Sequence, residues 1–177
     1  MRIMLKWVTL FSLILMSQVA YAQSQSGQLH SHSQSEKERQ EQVNERGDHA
    51  MGFSHAKTTH HFRLKDDGGV IEVTAVRGDD AISRDQIRRH LKRIAKMFSE
   101  GDFSAPMFIH GQTPPGVEAM KRLTAEIKYQ YEEIDRGAKV GISTTNAEAV
   151  KAVHEFLRFQ IQDHKTGDPI EVVKGQS

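Results

Sequence analysis

The fold is decided by residues 58–76, which read TTHHFRLKDDGGVIEVTAV. Apolar and polar side chains alternate on both sides of the Asp-Asp-Gly-Gly stretch at 66–69, and this period of two is typical of half-buried strands. Gly68 and Gly69 supply the positive φ that a tight turn needs, so the segment predicts a β-hairpin. The apolar side chains that share its packed face are Phe62, Leu64, Ile71 and Val73.

A helix is predicted after this hairpin. Ser83-Arg84-Asp85-Gln86 has the pattern of a capping box, and apolar residues then recur at helical spacing up to Phe98. Gly101 ends the predicted helix. Basic residues fill the opposite face of this helix. That face could simply be solvated, or it could bind a ligand.

The same order of hairpin, cap and helix recurs at 126–163, where Asn146 is the predicted cap of the final helix. Two ββα units predict an α+β fold, in which a four-stranded antiparallel sheet carries both long helices on one face. The other face of this sheet is polar. It could be exposed to solvent, or it could serve as a dimer or ligand surface.

The N-terminus has the parts of a secretory signal peptide. Arg2 and Lys6 flank the start of a short apolar run, and Ala20-Tyr21-Ala22 matches a cleavage site. The run is shorter than the ~20 residues that span a membrane. We therefore predict a periplasmic or secreted protein without membrane association after cleavage. The predicted organisation is a signal peptide at 1–22, a disordered linker at 23–47, a single α+β domain at 48–170 and a C-terminal tail at 171–177.

Composition excludes several functional classes. The chain has no cysteine, which rules out disulfides, thiolate metal sites and cysteine nucleophiles. Its 24 basic and 23 acidic residues leave no excess charge that would favour nucleic acid. The sequence also contains no nucleophile elbow, P-loop or dinucleotide-binding motif.

Histidine is the unusual component, with ten in the chain. Several histidines and methionines cluster at 49–61, and two more such residues lie in the long connection at 102–116. Imidazole binds copper and zinc, and thioether favours Cu(I). The sequence therefore predicts a module that binds Cu or Zn. The predicted ligands are His49, Met51, His55, His61, Met107 and His110.

The remaining histidines have simpler expected roles. Adjacent His60 and His61 point to opposite faces of a strand and cannot both bind one ion, so we expect His60 to be a buried, hydrogen-bonded residue of the packed face. His154 lies next to the apolar stripe of the final helix, and we expect it to be a packed, hydrogen-bonded residue. His164, near the C-terminus of that helix, would offset the helix dipole when protonated.

Two alternatives to metal binding are open. A structural or interaction protein could form a homodimer through the polar sheet face. A small enzyme could use a histidine base beside residues 102–116, because long ordered loops tend to be functional.

Three segments are distinctive: MGFSHAKTTHHF (51–62), APMFIHGQTPPG (105–116) and VHEFLRFQIQDHKTGD (153–168). They resemble a family of small exported bacterial proteins without an established function. Some of these relatives carry the label aspartate carbamoyltransferase, an enzyme that resembles a longer two-domain α/β chain with a Ser-Thr-Arg-Thr phosphate loop. Ser143-Thr144-Thr145 lacks that arginine, so we do not expect this activity.

Overall fold

The computed structural model describes residues 34–172. The predicted signal peptide at 1–22, residues 23–33 of the predicted linker and residues 173–177 of the predicted tail lie outside this range. Every helix within residues 34–172 is too short or too polar to span a bilayer.

Residues 34–51 form the first helix, α1, so the prediction of a disordered linker is wrong for residues 34–47. The segment is rich in Glu, Gln, Lys and Arg, which are strong helix formers as well as typical components of disordered chains. The chain divides into two compact units at Gln42. The short first part of α1 carries an exposed ion pair between Lys37 and Glu41.

The second part of α1 belongs to the unit that contains the rest of the fold. Val43 is only 1% exposed. Arg46 donates a hydrogen bond from Nε to the carbonyl oxygen of Ile109, over 2.8 Å. The burial of Val43 and the hydrogen bond of Arg46 offset the conformational entropy that this segment loses when it folds. Its composition alone would leave it unfolded.

The two predicted hairpins form one antiparallel sheet with the strand order β1-β2-β4-β3. Phe62, Ile71 and Val140 face one another across β1, β2 and β4, which gives a continuous apolar row on the packed side. The strands are β1 (Thr58–Lys65), β2 (Gly68–Ala75), β3 (Lys128–Ile134) and β4 (Gly137–Ser143).

The turn of the first hairpin differs from the prediction. Asp66 and Asp67 alone form it, because Lys65 already pairs with Gly68 across the two strands. Gly68 and Gly69 are therefore the first residues of β2 and do not form the turn itself.

Both long helices pack on the apolar side of the sheet. Helix α2 (Ala81–Ser99) contacts β2, β3 and β4, whereas α5 (Ala147–Asp163) contacts β1 and β2. The chain thus has the predicted α+β fold. Between the helices, the core is centred on Phe98, whose ring stacks on Phe103 at 4.4 Å between ring centres and meets Phe156 edge-on at 5.9 Å.

One of the two predicted helix starts is correct. Asn146 caps α5, because its side-chain oxygen accepts hydrogen bonds from the backbone N–H groups of Glu148 and Ala149. Helix α2 begins earlier than predicted, since Asp80 is its cap. The Asp80 carboxylate accepts from both the backbone nitrogen and the hydroxyl of Ser83, at 3.0 and 2.7 Å.

The connection at 102–116 is more ordered than predicted. It contains helix α3 (Ser104–His110), in which Pro106, Ile109 and His110 are buried. Helix α4 (Val117–Arg122) follows and packs on α5. The prediction of a loop is therefore wrong for the residues of α3, a helix that is stabilised by its buried side and is too short to be stable alone.

The open sheet face is polar, as predicted, and its charges are paired across the strands. Arg63 donates to Glu72 over 2.8 Å, and Lys139 lies 3.1 Å from Glu132. Opposite charges on facing strands stabilise a sheet surface that remains in water.

Candidate functional site

Four histidines from four different elements line one cavity inside the core. They are His60 in β1, His90 in α2, His110 at the end of α3 and His164 directly after α5. The cavity has a volume of about 60 Å³, and most of its remaining lining is apolar. This is room for a single ion or a few water molecules, and it is too little for an organic substrate.

The rings around the cavity form a continuous row. The ring centres of His60 and His164 are 5.7 Å apart, with 3° between the ring planes. His110 meets His164 at 5.0 Å and 76°. On the other side, Phe53 lies between His60 and His90, with centre-to-centre distances of 6.2 and 5.6 Å. The histidines are thus held by aromatic packing on several sides.

Two further side chains bring polar or soft atoms to the same cavity. Met51, at the end of α1, and Gln160, on α5, also line it, and their side chains carry a thioether and an amide. In the part of the chain that the structure describes, the two buried side-chain polar atoms without a hydrogen-bond partner are Tyr129 Oη and Gln160 Nε2.

His60 and His90 are neutral at ordinary pH because they are buried. Burial is the main cause that lowers the pKa of His60 to about 4, and the neighbouring His90 acts in the same direction. Burial also lowers the pKa of His90 to about 4, with the Arg93 guanidinium as the second cause. A neutral imidazole keeps one nitrogen lone pair, which is the form that ligates metals.

His164 behaves differently from the prediction that it offsets the dipole of α5 in its charged form. Its ring is turned into the cavity, and burial lowers its pKa to about 3, with His60 and His110 acting in the same direction and Asp163 opposing them. The ring is therefore neutral where the sequence suggested a cation, because its packing against His60 and Phe62 removes it from water.

His110 is fixed by hydrogen bonds at both ring nitrogens. Its Nδ1 lies 2.5 Å from Asp163 Oδ2 and its Nε2 lies 3.0 Å from Gln160 Oε1. The His110 side chain is only 1% exposed. Because both nitrogens already have partners, His110 is a structural member of the cavity wall and offers no lone pair to a metal.

A cationic cleft of about 340 Å³ opens on the surface beside this cavity. Met51 and His90 line both spaces and form the wall between them. The cleft is lined by His49, Ala50, Met51, Gly52, Gln86, Arg89, His90 and Arg93, none of which is acidic. We refer to this space as the arginine cleft.

The structure does not bring the six predicted metal ligands together. Met51 and His110 line the cavity, and His49 lines the arginine cleft. The other three have partners elsewhere. Those partners are Asp48 for His55, Asp168 for His61 and Lys121 for Met107. In residues 34–172, no group of three His, Cys, Asp or Glu residues is arranged to hold a metal ion.

The reason for this difference is strand geometry. His61 faces the opposite side of β1 from His60, and its Nδ1 lies 2.9 Å from an oxygen of Asp168. His55 precedes the strand in a short turn at the surface, with Nδ1 2.9 Å from Asp48. Neither side chain can reach the core side of the sheet.

Sequence reasoning missed three of the four cavity histidines as site residues. A signal for His90 was present, because it lies on the apolar side of α2 with Ile87, Leu91 and Ile94. The placement of His60 on the packed face is confirmed, but within residues 34–172 its ring packs against other rings and does not form the expected hydrogen bond. These two inward-facing histidines meet His164 only because α5 packs against β1. No local sequence pattern specifies this packing.

His154 hydrogen-bonds through Nε2 to the carbonyl oxygen of Lys65, at 2.9 Å.

Comparison of the chain with family models, with curated proteins and with solved structures finds no match. The chemistry of the site therefore follows from its geometry alone.

Proposed function

We propose that this chain is an exported, non-enzymatic module that binds one copper(I) ion in the histidine cavity, through His60, His164 and Met51. The observation that carries the proposal is the pair of neutral imidazoles at His60 and His164, which line the same small cavity as Met51. A donor set of two imidazoles and a thioether is soft and selects Cu(I) over zinc.

The ring separation supports this ligand pair. A metal bonded at ~2.0 Å to a nitrogen of an imidazole lies about 3.2 Å from the ring centre, so the centres of two ligating rings are at most about 6.4 Å apart. The centres of His60 and His164 are 5.7 Å apart. The planes of the two rings are parallel to within 3°. Because the lone pair of an imidazole nitrogen lies in the plane of its ring, copper binding requires these stacked rings to rotate until one nitrogen of each faces the ion.

The protonation states also support it. A histidine must lose its proton before it binds a metal. An exposed imidazole is still partly protonated at neutral pH, so the free energy of deprotonation weakens its metal binding. Burial lowers the pKa of His60 to about 4 and that of His164 to about 3, so protons do not compete with the metal at neutral pH.

The two alternatives receive less support. The enzymatic alternative requires a histidine base beside residues 102–116, but His110 is buried and both its nitrogens are hydrogen-bonded. Dimerisation through the open sheet face would cover ion pairs such as Arg63 with Glu72, which water already solvates in the monomer. Export follows from the predicted signal peptide at 1–22.

The test is an anaerobic titration of the metal-free protein with Cu(I), in competition with a chromophoric Cu(I) chelator. We expect one copper per chain, and we expect His60→Asn, His164→Asn and Met51→Leu each to weaken binding by at least about tenfold. Circular dichroism establishes that each variant is folded.

Matched controls come from the ligands that the sequence predicted but the cavity does not contain. His55→Asn and Met107→Leu remove the same chemical groups outside the cavity, so copper affinity should not change. The proposal fails if these controls weaken binding as much as His164→Asn does, or if the wild-type protein binds no copper.

A further inference from the structure

The arginine cleft concentrates positive charge on one side of α2. Arg89 and Arg93 are one helical turn apart, and both are exposed. Like charges at this spacing destabilise a helix. No carboxylate lines the cleft to compensate for them.

Neighbouring arginines of the same helix are paired, which makes the cleft distinctive. Arg84 pairs with Asp85, and Arg88 pairs with Glu133. Among residues 34–172, Arg89 has no such carboxylate partner. Its five N–H donors are therefore available to a ligand.

Arg93 is held in position by the protein. Its Nη2 donates to the carbonyl oxygen of Ala50 over 2.7 Å and lies 3.3 Å from Nδ1 of His90. One edge of the guanidinium is thereby fixed, while its remaining donors can face the cleft. A donor that is already oriented loses little entropy when it binds a ligand.

We propose that the arginine cleft binds a small molecule through an oxyanion group, carboxylate or phosphate, held between Arg89 and Arg93. Guanidinium matches both groups through paired N–H···O bonds. The volume of about 340 Å³ suits a small organic anion. The Gln86 amide adds a neutral donor on the same wall.

The test is isothermal titration calorimetry of the metal-free protein at constant ionic strength, with inorganic phosphate and succinate as separate probes. Arg89→Gln should weaken binding of the preferred probe by about tenfold or more, as expected when a charged hydrogen-bonding partner is lost. Lys92→Gln is the matched control, because it removes one charge from the same helix outside the cleft and should change the affinity less than twofold.

Preference for one probe identifies the oxyanion. Equal losses in Arg89→Gln and Lys92→Gln would overturn the proposal, because they would indicate attraction by general charge. Absence of binding by both probes would also overturn it. His164→Asn separates this proposal from copper binding, since it should weaken Cu(I) binding and leave the affinity for the anion unchanged.

Discussion

The metal-free protein should lose stability steeply as the pH falls from 7 to 5. Burial lowers the pKa of His60 and His90 to about 4 and that of His164 to about 3, whereas the ordinary pKa of histidine is 6.5. At a pH between the pKa values of the folded chain and those of the unfolded chain, the unfolded chain binds three protons that the native chain does not bind. Unfolding therefore takes up protons, and the free energy of unfolding decreases as the pH is lowered.

The magnitude follows from the number of protons. Each unmatched proton contributes about 1.4 kcal/mol per pH unit, so the three histidines together give a slope of about 4 kcal/mol per pH unit near pH 5. Integrated from pH 7 to pH 5, the loss of unfolding free energy is about 5.5 kcal/mol. This equals the whole stability of a marginal domain. Above about pH 7.5 the three rings are neutral in both states and contribute no slope.

The assay is urea unfolding followed by far-UV circular dichroism, in half-unit steps from pH 5 to pH 8 with a metal chelator present. The variant His164→Asn removes one of the three protons, so its slope near pH 5 should be about a third smaller than that of the wild-type protein. A free energy of unfolding that stays constant between pH 7 and pH 5 would refute the reasoning. So would an unchanged slope in the variant.

Three further predictions concern stability and are checked by urea unfolding at pH 7.5. Asp163→Asn should cost about 3 kcal/mol, because it leaves His110 buried without its charged partner; a loss below about 1 kcal/mol would contradict this. Asn146→Ala should cost about 1 kcal/mol through loss of the α5 cap, and no change would count against the cap. Gly116→Ala should cost more than about 2 kcal/mol, because φ is +82° and the added Cβ would lie 2.1 Å from a carbonyl oxygen of α5. Gly52→Ala is its control: φ is +78° in open space, so about 1 kcal/mol is expected, and equal losses would refute the steric argument.

The fold could be predicted because its signals are local. Alternation in the two hairpins, helical spacing after them and the Asn146 cap each act within a few residues. The errors are also local: Asp80 took the capping role predicted for Ser83, and residues 34–47 are helical although their composition suggested disorder. In that segment the burial of Val43 outweighs the polar composition.

The candidate site could be predicted only in part. The abundance of histidine indicated a ligand site, and Met51 and His110 do line the cavity. The identity of the converging rings could not be predicted, because His60 and His164 are far apart in sequence and meet only when the end of α5 reaches the inner face of β1. Proximity in sequence instead favoured His55 and His61, which strand geometry directs to other surfaces.

X-ray absorption at the copper edge of the Cu(I)-loaded protein tests the central claim most directly. We predict imidazole nitrogen scatterers together with one sulfur scatterer in wild-type protein, and loss of the sulfur contribution in Met51→Leu but not in Met107→Leu. A coordination shell without sulfur in the wild-type protein, or a sulfur contribution that persists in Met51→Leu, would contradict a copper site built from His60, His164 and Met51.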